Sequence, residues 1–432
     1  MSADVERLPW PQQLADDDRA YRDQLRYLFD RSLLFGEKLR AAGCDSAADA
    51  GGLGEIARLP LTDKQELRAS CTDRNPIGAH LCASPEEIVR IYSTSGTTGA
   101  PSYIPLTVGD LDNWVTGSSR SYGACGIAAG QRVVTTYNAG PFVAGAALAA
   151  FERLGLSHIP IGTGNTDRLM RAVQQLAPAA VVLTPSYAAY AAEWAQERGI
   201  DLPGSSVRHV LVAGEPGGGE PSFRARLQTV WGAEVTEAMG IGDIGPSLFG
   251  ECDRRQGMHL GARGFVHVEL VDPETDTPVE LRDGATGELV LTHLRHRGAP
   301  LLRFRTRDHV RVWTSPCECG RTAPRLRCMG RTDDMLIVRG VNVFPAAIRE
   351  AVSAFVPDVS GHILVRPRAP GVKQDPPLPV AVELGRERDA DASLAEAIRA
   401  RLREMLIVQT RVELVPWGSI ARSEYKSSLI ER

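Results

Sequence analysis

Short apolar runs of β-strand type alternate with helical stretches from about Arg90 onward, and this alternation constrains the fold more than any other feature of the sequence. The strand-like residues Ile91 and Tyr92 open the region. A helical stretch covers residues 166–176, and further strand-like runs cover residues 132–137, 156–162, 179–184 and 208–214. Strands that alternate with helices are typical of a mostly parallel sheet covered by helices. We therefore predict an α/β fold for this region.

The pattern changes twice further along the chain. Beyond about Gly261 the strand-like runs follow one another more closely, which favours an antiparallel β subdomain. Beyond Arg331 the pattern is that of a small α+β unit, with a helix from about residue 394 to 406. Ser393 and Glu396 have the spacing of a capping box at the start of that helix.

The first 90 residues are charged and mostly helical in pattern. One amphipathic helix is predicted from apolar residues at three- and four-residue spacings, namely Leu25, Leu28, Phe29, Leu33 and Leu34. We predict two domains. The first has mixed β-sheets with flanking helices over residues 1–330, and the second is the small α+β domain over residues 331–432.

Composition and charge exclude several classes of protein. Hydrophobic residues make up 43% of the chain and charged residues 24%, which favours a folded globular protein over a disordered one. A net charge of −4 leaves no basic excess for binding a nucleic-acid backbone. The longest apolar run, residues 143–151, is far short of the roughly 20 residues that span a bilayer. The first ten residues lack a signal-peptide pattern, so a cytoplasmic protein without membrane partners is expected.

Four of the potential metal ligands lie close enough in sequence to form one site. In a reducing compartment the eight cysteines are expected to be thiols rather than disulfides. The pattern Cys-x₆-His followed by Cys-x-Cys, formed by Cys252, His259, Cys317 and Cys319, supplies four donors for a closed, structural Zn²⁺ site. Cys328 could replace one ligand, and the alternative is that these are separately buried side chains.

Residues 93–99, Ser-Thr-Ser-Gly-Thr-Thr-Gly, are the strongest local signal for chemistry. Glycines let a backbone approach phosphate oxygens closely, and hydroxyl and amide donors can then surround those oxygens. The G-K-[ST] ending of a Walker A loop is missing. A flexible linker remains the alternative interpretation of this segment alone.

Six motifs in order extend that signal over most of the chain from about Pro60, at residues 93–101, 214–216, 239–243, 303–308, 330–345 and 421–426. In sequence and spacing they resemble the phenylacetate–coenzyme A ligase family of the adenylate-forming superfamily. The resemblance implies a large N-terminal adenylation domain and a small mobile C-terminal lid. It also implies two steps: a carboxylate attacks the α-phosphate of Mg²⁺-bound ATP, and the thiol of coenzyme A then displaces AMP.

The resemblance assigns roles residue by residue. It implies that Asp308 binds the ribose hydroxyls and that Arg331 contacts the nucleotide. Asp333 matches the hinge of the lid, and Lys426 would bridge the substrate carboxylate and the α-phosphate during adenylation. The β- and γ-phosphates would be held by Ser95, Gly96, Thr97, Thr98 and Gly99. The adenine pocket would be lined by Gly214, Glu215 and Pro216, with Met239 and Gly240.

Two departures from the family pattern concern the phosphates. Ala100 stands where the family usually has lysine, so pyrophosphate must be held by amides, hydroxyls and metal, or by an arginine that the sequence does not locate. Asp243 replaces the glutamate of the family motif and remains a hard oxygen ligand for Mg²⁺ on a shorter side chain. Only four lysines occur in the chain, at positions 38, 64, 373 and 426. Against an arginine-rich background, each retained lysine is a better candidate for chemistry.

The segments that match the family's acid-binding side are aromatic and small, namely Tyr137, Pro141, Phe142, Ala144 and Ala238. This lining favours a flat aryl acid, although Phe142 could equally be a packing residue. The predicted function is an aryl-carboxylate–coenzyme A ligase. The alternatives are an adenylating enzyme that loads a carrier protein or an amine, and a nucleotide-binding sensor. The acid, the acceptor and the oligomeric state stay open, and a homodimer is compatible with the sequence.

Overall fold

The computed structural model describes residues 5–94, 102–137, 140, 143–339, 341–369, 371–423 and 428–431. The helices within these ranges are α1 (Trp10–Arg31), α2 (Leu33–Ala41), α3 (Lys64–Ala69), α4 (Val108–Gly123), α5 (Ala144–Arg153), α6 (Thr166–Leu176), α7 (Pro185–Glu197), α8 (Pro221–Trp231), α9 (Pro345–Ser353) and α10 (Ala392–Leu406). Short 3₁₀ turns lie at Val5–Arg7, Leu53–Arg58 and Pro85–Glu87.

The strands of the first two-thirds of the chain are β1 (Ile88–Ser93), β2 (Tyr103–Thr107), β3 (Arg132–Thr135), β4 (Ser157–Pro160), β5 (Ala180–Leu183), β6 (His209–Ala213), β7 (Glu234–Ile241), β8 (Gly245–Glu251), β9 (Met258–Leu260), β10 (Val266–Val271), β11 (Pro278–Val279) and β12 (Thr286–His293). The remaining strands are β13 (Phe304–Trp313), β14 (Arg325–Arg331), β15 (Leu336–Val338), β16 (Val341–Val343), β17 (Val359–Val365), β18 (Lys373–Gln374), β19 (Leu378–Leu384) and β20 (Thr410–Val415).

One twelve-stranded sheet carries both of the strand patterns seen in the sequence. Its order is β11-β10-β12-β13-β14-β9-β8-β7-β6-β5-β3-β4. Strands β3 to β7 pair in parallel, and strands β7 to β14 pair antiparallel. The predicted parallel and antiparallel patterns are therefore confirmed. The parallel and antiparallel parts belong to one sheet, because β7 pairs with both β6 and β8 and so joins them.

The parallel strands are buried on both faces, as helix-covered strands must be. Every residue of β5 is buried, and the apolar side chains of α6, α7 and α8 pack in the same cluster as β5 and β6. The indole of Trp231, which is fully buried, donates a hydrogen bond of 3.0 Å to the carbonyl of Ala188. The helix predicted at 166–176 is confirmed, with Asn165 as its N-cap.

Two local expectations about the N-terminal part differ from the structure. The single amphipathic helix is two helices, because the Ser32 hydroxyl accepts a hydrogen bond from the amide of Phe35 and starts α2. Leu33 is consequently 65% exposed rather than part of the apolar face. Strand β1, which opens the α/β region in sequence, lies outside the large sheet and forms a separate antiparallel pair with β2.

The C-terminal part has its own core. Strands β15, β16 and β18 form one small sheet, and β17, β19 and β20 form another, which packs with α9 and α10. This confirms the α+β pattern, although the N-cap of α10 is Asp391, whose carboxylate accepts from the amide of Ser393 at 2.9 Å. Ser393 therefore lies in the first turn of α10 and is not its N-cap. Among the residues that the structure describes, none of the helices is both long and apolar enough to cross a membrane.

Candidate functional site

A largely buried carboxylate lies in the middle of β13, opposite the last residue of the neighbouring strand β14. Asp308 on β13 is paired in register with Arg331 on β14, and the Asp308 Oδ1–Arg331 Nη1 distance is 3.8 Å. Burial raises the pKa of Asp308 to about 6, although the Arg331 charge acts to lower it. Above that pH the side chain is a carboxylate whose two oxygens can accept hydrogen bonds from two neighbouring hydroxyls. The predicted pair of residues is thus brought together.

Arg331 also connects this carboxylate to the predicted hinge. Its Nε lies 2.8 Å from Asp333 Oδ1, and its Nη2 lies 2.9 Å from Asp333 Oδ2. This bidentate pair lies between the last strand of the large sheet and the first strand of the C-terminal part. Because the Arg331 guanidinium lies against both Asp333 and Asp308, a movement of the chain at Asp333 would be felt at the Asp308 side chain.

The segment 214–216 follows β6 at the carboxyl end of the parallel strands, the edge at which open α/β sheets bind ligands. The carboxylate of Glu215 accepts from the amide of Ser186 at 2.7 Å, and the carbonyl of Pro216 accepts from Arg349 Nη2 at 2.7 Å. Contacts from two directions therefore fix this loop, while Gly214 is exposed at its start.

Met239 and Gly240 lie beside that loop, because Ala238 pairs in register with Ala213 at the end of β6. Met239 is half-buried and Gly240 is exposed. A Cβ added to Gly240 would lie 1.9 Å from the carbonyl oxygen of Pro246, so only glycine fits here. The predicted adenine-pocket residues on β7 and after β6 are therefore neighbours in space.

Asp243 lies in the turn between β7 and β8 and has a partner that the sequence interpretation missed. Lys64 Nζ, at the first residue of α3, lies 2.9 Å from Asp243 Oδ2. The same ammonium lies 3.3 Å from the hydroxyl oxygen of Thr94. The only sequence signal for Lys64 was that it is one of four lysines in an arginine-rich chain.

Three of the predicted acid-binding residues are brought together. Tyr137 and Ala238 are buried in one apolar cluster, and Ala144 packs against it from the start of α5. Several other predicted residues lie outside the described ranges, namely Ser95, Gly96, Thr97, Thr98, Gly99, Pro141, Phe142 and Lys426. The pocket lining and the phosphate-binding loop therefore stay predictions.

The four predicted metal ligands converge. The ligand atoms of Cys252, His259, Cys317 and Cys319 all lie within 4.8 Å of one another. The Cys252 and Cys317 sulfurs are 3.8 Å apart, and Cys319 Sγ lies 3.4 Å from His259 Nε2. A tetrahedral zinc ion with Zn–S bonds of about 2.3 Å would separate two sulfurs by about 3.8 Å. The spacing of the cluster fits such an ion.

The electrostatics of this cluster also suit a metal. Burial lowers the pKa of His259 to about 4, so the imidazole is neutral at pH 7, the form that binds metal. Cys328 is not a member of the cluster. It lies on β14, with its sulfur 3.9 Å from the Gly330 carbonyl, so the structure does not support it as a replacement ligand.

Partly buried polar contacts hold the C-terminal part against the large sheet domain. Glu193 on α7 accepts from His362 Nε2 at 3.2 Å and from Arg422 Nε at 3.2 Å. Burial acts to raise the pKa of Glu193, but the His362 hydrogen bond and the Arg422 charge outweigh it and lower the pKa. Arg422 also donates to Glu383 at 2.6 Å. No local sequence pattern indicated these pairs, because their members are far apart along the chain.

Comparison with known families identifies both parts of the chain. Residues 32–293 match the AMP-binding enzyme family. Residues 340–431 match the C-terminal domain of AMP-binding enzymes.

Two curated relatives span nearly the whole chain. The phenylacetate–coenzyme A ligase of Thermus thermophilus is 33% identical over 441 residues, which cover 98% of this chain and 96% of the relative. The phenylacetate–coenzyme A ligase of Escherichia coli K12 is 31% identical over 412 residues, which cover 93% of this chain and 91% of the relative.

A solved 2-hydroxyisobutyryl-CoA ligase is similar in structure. In its postadenylation state, in complex with R3-HIB-AMP, it matches with a TM-score of 0.90 and 25% identity over 99% of this chain and 91% of its own. In its thioesterification state, with 2-HIB-AMP and CoA, the TM-score is 0.72 over the same shares of the two chains. The arrangement of this chain is therefore closer to the postadenylation state.

Proposed function

Since the chain belongs to the phenylacetate–coenzyme A ligase family of AMP-binding enzymes, we propose that it joins an aromatic carboxylic acid to coenzyme A through an acyl-adenylate. Its enzyme class is that of the acid–thiol ligases, which form an acyl-AMP before the thioester. The observation that carries the proposal is the largely buried carboxylate of Asp308 on β13, held beside Arg331 at the end of β14. Family resemblance assigns this carboxylate to the ribose.

The nucleotide is proposed to bind across the carboxyl end of the parallel strands. Gly214, Glu215 and Pro216, with Met239 and Gly240, would line the adenine pocket. Support comes from the Ala213–Ala238 register, which makes the two segments neighbours. Residues 95–99 would hold the β- and γ-phosphates, and Lys426 would neutralise charge at the α-phosphate during adenylation.

Mg²⁺ is proposed to bind the carboxylate of Asp243. The side chain is only 11% exposed, and it lies in the turn after the strand that would line the adenine pocket. An aspartate is an oxygen ligand of the kind that Mg²⁺ prefers, usually with one or two carboxylates, several waters and substrate phosphates completing the octahedron.

The aromatic character of the acid rests on the relatives and on the small, partly aromatic lining. Tyr137 and Ala238 lie in one buried cluster, with Ala144 against it. A small, partly aromatic lining favours a flat aryl acid over a long acyl chain. The curated relatives are phenylacetate–coenzyme A ligases, whereas the solved structure that is similar is a 2-hydroxyisobutyryl-CoA ligase.

Zn²⁺ is proposed as a structural ion at Cys252, His259, Cys317 and Cys319. Four protein ligands close a tetrahedral site and leave no position for a substrate. Three of the ligands are buried and Cys319 is half-buried, which also favours a role in folding rather than in catalysis.

The C-terminal lid is proposed to rotate about Asp333 between the two steps. The two TM-scores support this proposal, because one ligase matches differently in two states of its cycle. The Arg331–Asp333 pair would connect that rotation to the nucleotide site.

A release assay tests the function. Purified enzyme is incubated with ATP, Mg²⁺ and each of about twenty aryl acids, with and without coenzyme A, and pyrophosphate, AMP and thioester are measured. We expect pyrophosphate release with one aryl acid or a small group of them, and a thioester only when coenzyme A is present. Acyl-adenylate that accumulates with coenzyme A present would point to a carrier protein or an amine acceptor. Absence of pyrophosphate release with every acid would contradict adenylation of an aryl acid.

A further inference from the structure

Lys64 lies at the base of the predicted phosphate-binding loop, a place that no sequence motif assigned to it. Its ammonium contacts Asp243 Oδ2 at 2.9 Å and Thr94 Oγ1 at 3.3 Å. Thr94 closes that base, because its amide donates to the Ser102 carbonyl at 3.0 Å and its hydroxyl accepts from the Ser102 amide at 3.3 Å. Lys64 therefore bridges the proposed Mg²⁺ ligand and the start of the loop.

A second lysine on the neighbouring helix shows what a purely structural lysine looks like in this fold. Lys38 on α2 is 14% exposed and donates to the Leu61 carbonyl, the Thr62 hydroxyl and the Glu66 carboxylate. An ammonium has three N–H donors, so Lys38 uses all of them within the protein. Lys64 is 32% exposed and has two partners among the described residues. It retains one N–H donor, and its side chain is more exposed than that of Lys38.

The Lys64–Asp243 pair cannot stay unchanged when a divalent cation binds the carboxylate. Mg²⁺ binds carboxylate oxygens at about 2.0–2.1 Å. Two positive charges would then lie beside an ammonium that contacts the same carboxylate, and their repulsion favours a new partner for Lys64. The flexible four-carbon side chain of lysine allows such a change, and a polyphosphate bound to the same Mg²⁺ offers anionic oxygens nearby.

We propose that Lys64 exchanges partners during adenylation. It neutralises Asp243 while the site is empty, and it moves to the β- and γ-phosphate oxygens when Mg²⁺ occupies that carboxylate. The inference rests on the proposed function. In the reaction a bond forms between the substrate carboxylate oxygen and the α-phosphorus, and the bond from that phosphorus to pyrophosphate breaks. Lys64 keeps its proton and stabilises the negative charge of the leaving pyrophosphate.

Binding of three phosphate compounds to the full-length protein tests the proposal. Affinities for ATP, inorganic pyrophosphate and AMP are measured by calorimetry with Mg²⁺ for wild type, Lys64→Ala and Lys64→Arg. We expect Lys64→Ala to lose about 10- to 100-fold in affinity for ATP and pyrophosphate, the range for one charge-assisted hydrogen bond. AMP affinity stays within about twofold of wild type, because AMP lacks the two outer phosphates. Lys64→Arg retains the charge and recovers part of the loss.

Lys38→Ala is the matched control, because it removes a lysine from the same region without touching Asp243. Its ratio of ATP to AMP affinity is expected to equal that of wild type, even if its Tm falls. Without Mg²⁺, Lys64 stays paired with Asp243, so Lys64→Ala and wild type should then bind pyrophosphate about equally. An equal loss for all three compounds in Lys64→Ala, or no loss for ATP, would overturn the proposal. A loss of pyrophosphate affinity that is as large without Mg²⁺ would overturn the exchange of partners.

The same wild-type measurements separate this proposal from the proposed function. If wild type binds ATP but activates no aryl acid, the proposed substrate is contradicted. The affinities of the Lys64 variants for ATP, pyrophosphate and AMP would still test the Lys64 proposal. Wild type that binds AMP, ATP and pyrophosphate with equal affinity would overturn the Lys64 proposal even if an aryl acid is activated.

Discussion

On α9, Arg349 Nη2 lies 2.9 Å from Oε1 of Glu220, the residue that precedes α8. This ion pair joins the C-terminal part to the large sheet domain. The same nitrogen donates to the Pro216 carbonyl at 2.7 Å, so the ion pair also contacts the proposed adenine loop. Next to it, the Glu350 carboxylate accepts from the amide of Ser222 at 2.8 Å. The proposed adenine loop is therefore held in place by a helix of the proposed lid in this arrangement.

Replacing Arg349 by methionine is expected to separate the two half-reactions. The pair exists in an arrangement that matches a postadenylation state, so its loss should slow adenylation by about tenfold or more. Conversion of supplied acyl-adenylate to thioester should change little, because the lid is proposed to leave this position in that step. Both rates are measured on the same preparation. Arg401→Met, which breaks an exposed pair on α10, is the control and should leave both rates unchanged. Equal loss of both rates would show a general structural role.

Asp308→Asn is expected to lose nucleotide binding and gain stability. Asparagine can accept with only one oxygen, so ATP and AMP affinity should both fall by about tenfold or more. The folded-state pKa of about 6 lies above the ordinary 3.8, so ionisation of this buried group costs about 3 kcal/mol of folding free energy above pH 6. The neutral variant should therefore have a higher Tm than wild type at pH 8. At pH 4, where Asp308 is protonated in the folded state, the difference in Tm should shrink.

The raised pKa of Asp308 also gives wild type a pH dependence. The carboxylate is the form that accepts hydrogen bonds from ribose, so AMP affinity should fall as pH drops below about 6. Titration of AMP binding from pH 8 to pH 5 measures this effect. AMP affinity that is constant over that range would contradict the assignment of Asp308 to the ribose.

The proposed zinc site predicts a link between metal and stability. Metal analysis should find about one zinc ion per chain, and chelation should lower the Tm by about 5 °C or more. Cys317→Ser should have a similar effect because it removes one of the four ligands. Cys71→Ser is the control, since Cys71 is exposed and lies outside the cluster. Metal-free protein with an unchanged Tm would rule out a structural ion.

Lys426→Ala tests the role that family resemblance gives to this lysine. An ammonium at the α-phosphate would offset charge that develops during adenylation only, so we expect that rate to fall by about 100-fold or more. Thioester formation from supplied acyl-adenylate should proceed near the wild-type rate. Lys373→Ala, a change at an exposed lysine on β18, is the control. A similar decrease in both steps would show that Lys426 supports folding or general binding instead.

The sequence by itself determined the features that depend on near neighbours. Strand and helix patterns, such as α6 and the buried β5, follow from apolar periodicity within about ten residues. The four metal ligands were predicted because residue type and spacing restrict their chemistry, whereas Asp308 was assigned by resemblance to a known family. At the ends of helices, more than one nearby residue can act as the N-cap, and the sequence did not decide between them. Asp391 rather than Ser393 caps α10, and Ser32 caps α2 and so divides the predicted N-terminal helix in two.

Only the tertiary structure decided which distant residues meet. Lys64 and Asp243 are 179 positions apart, and Arg349 and Glu220 are 129 apart. Their side chains are ordinary charged residues on their own elements, and no local pattern distinguishes them from solvated ones. Whether such charges face water or each other depends on strand order, on pairing across the twelve-stranded sheet and on how the lid packs. Those are set by burial summed over the whole chain, because each long-range contact must offset the entropy of closing a long loop.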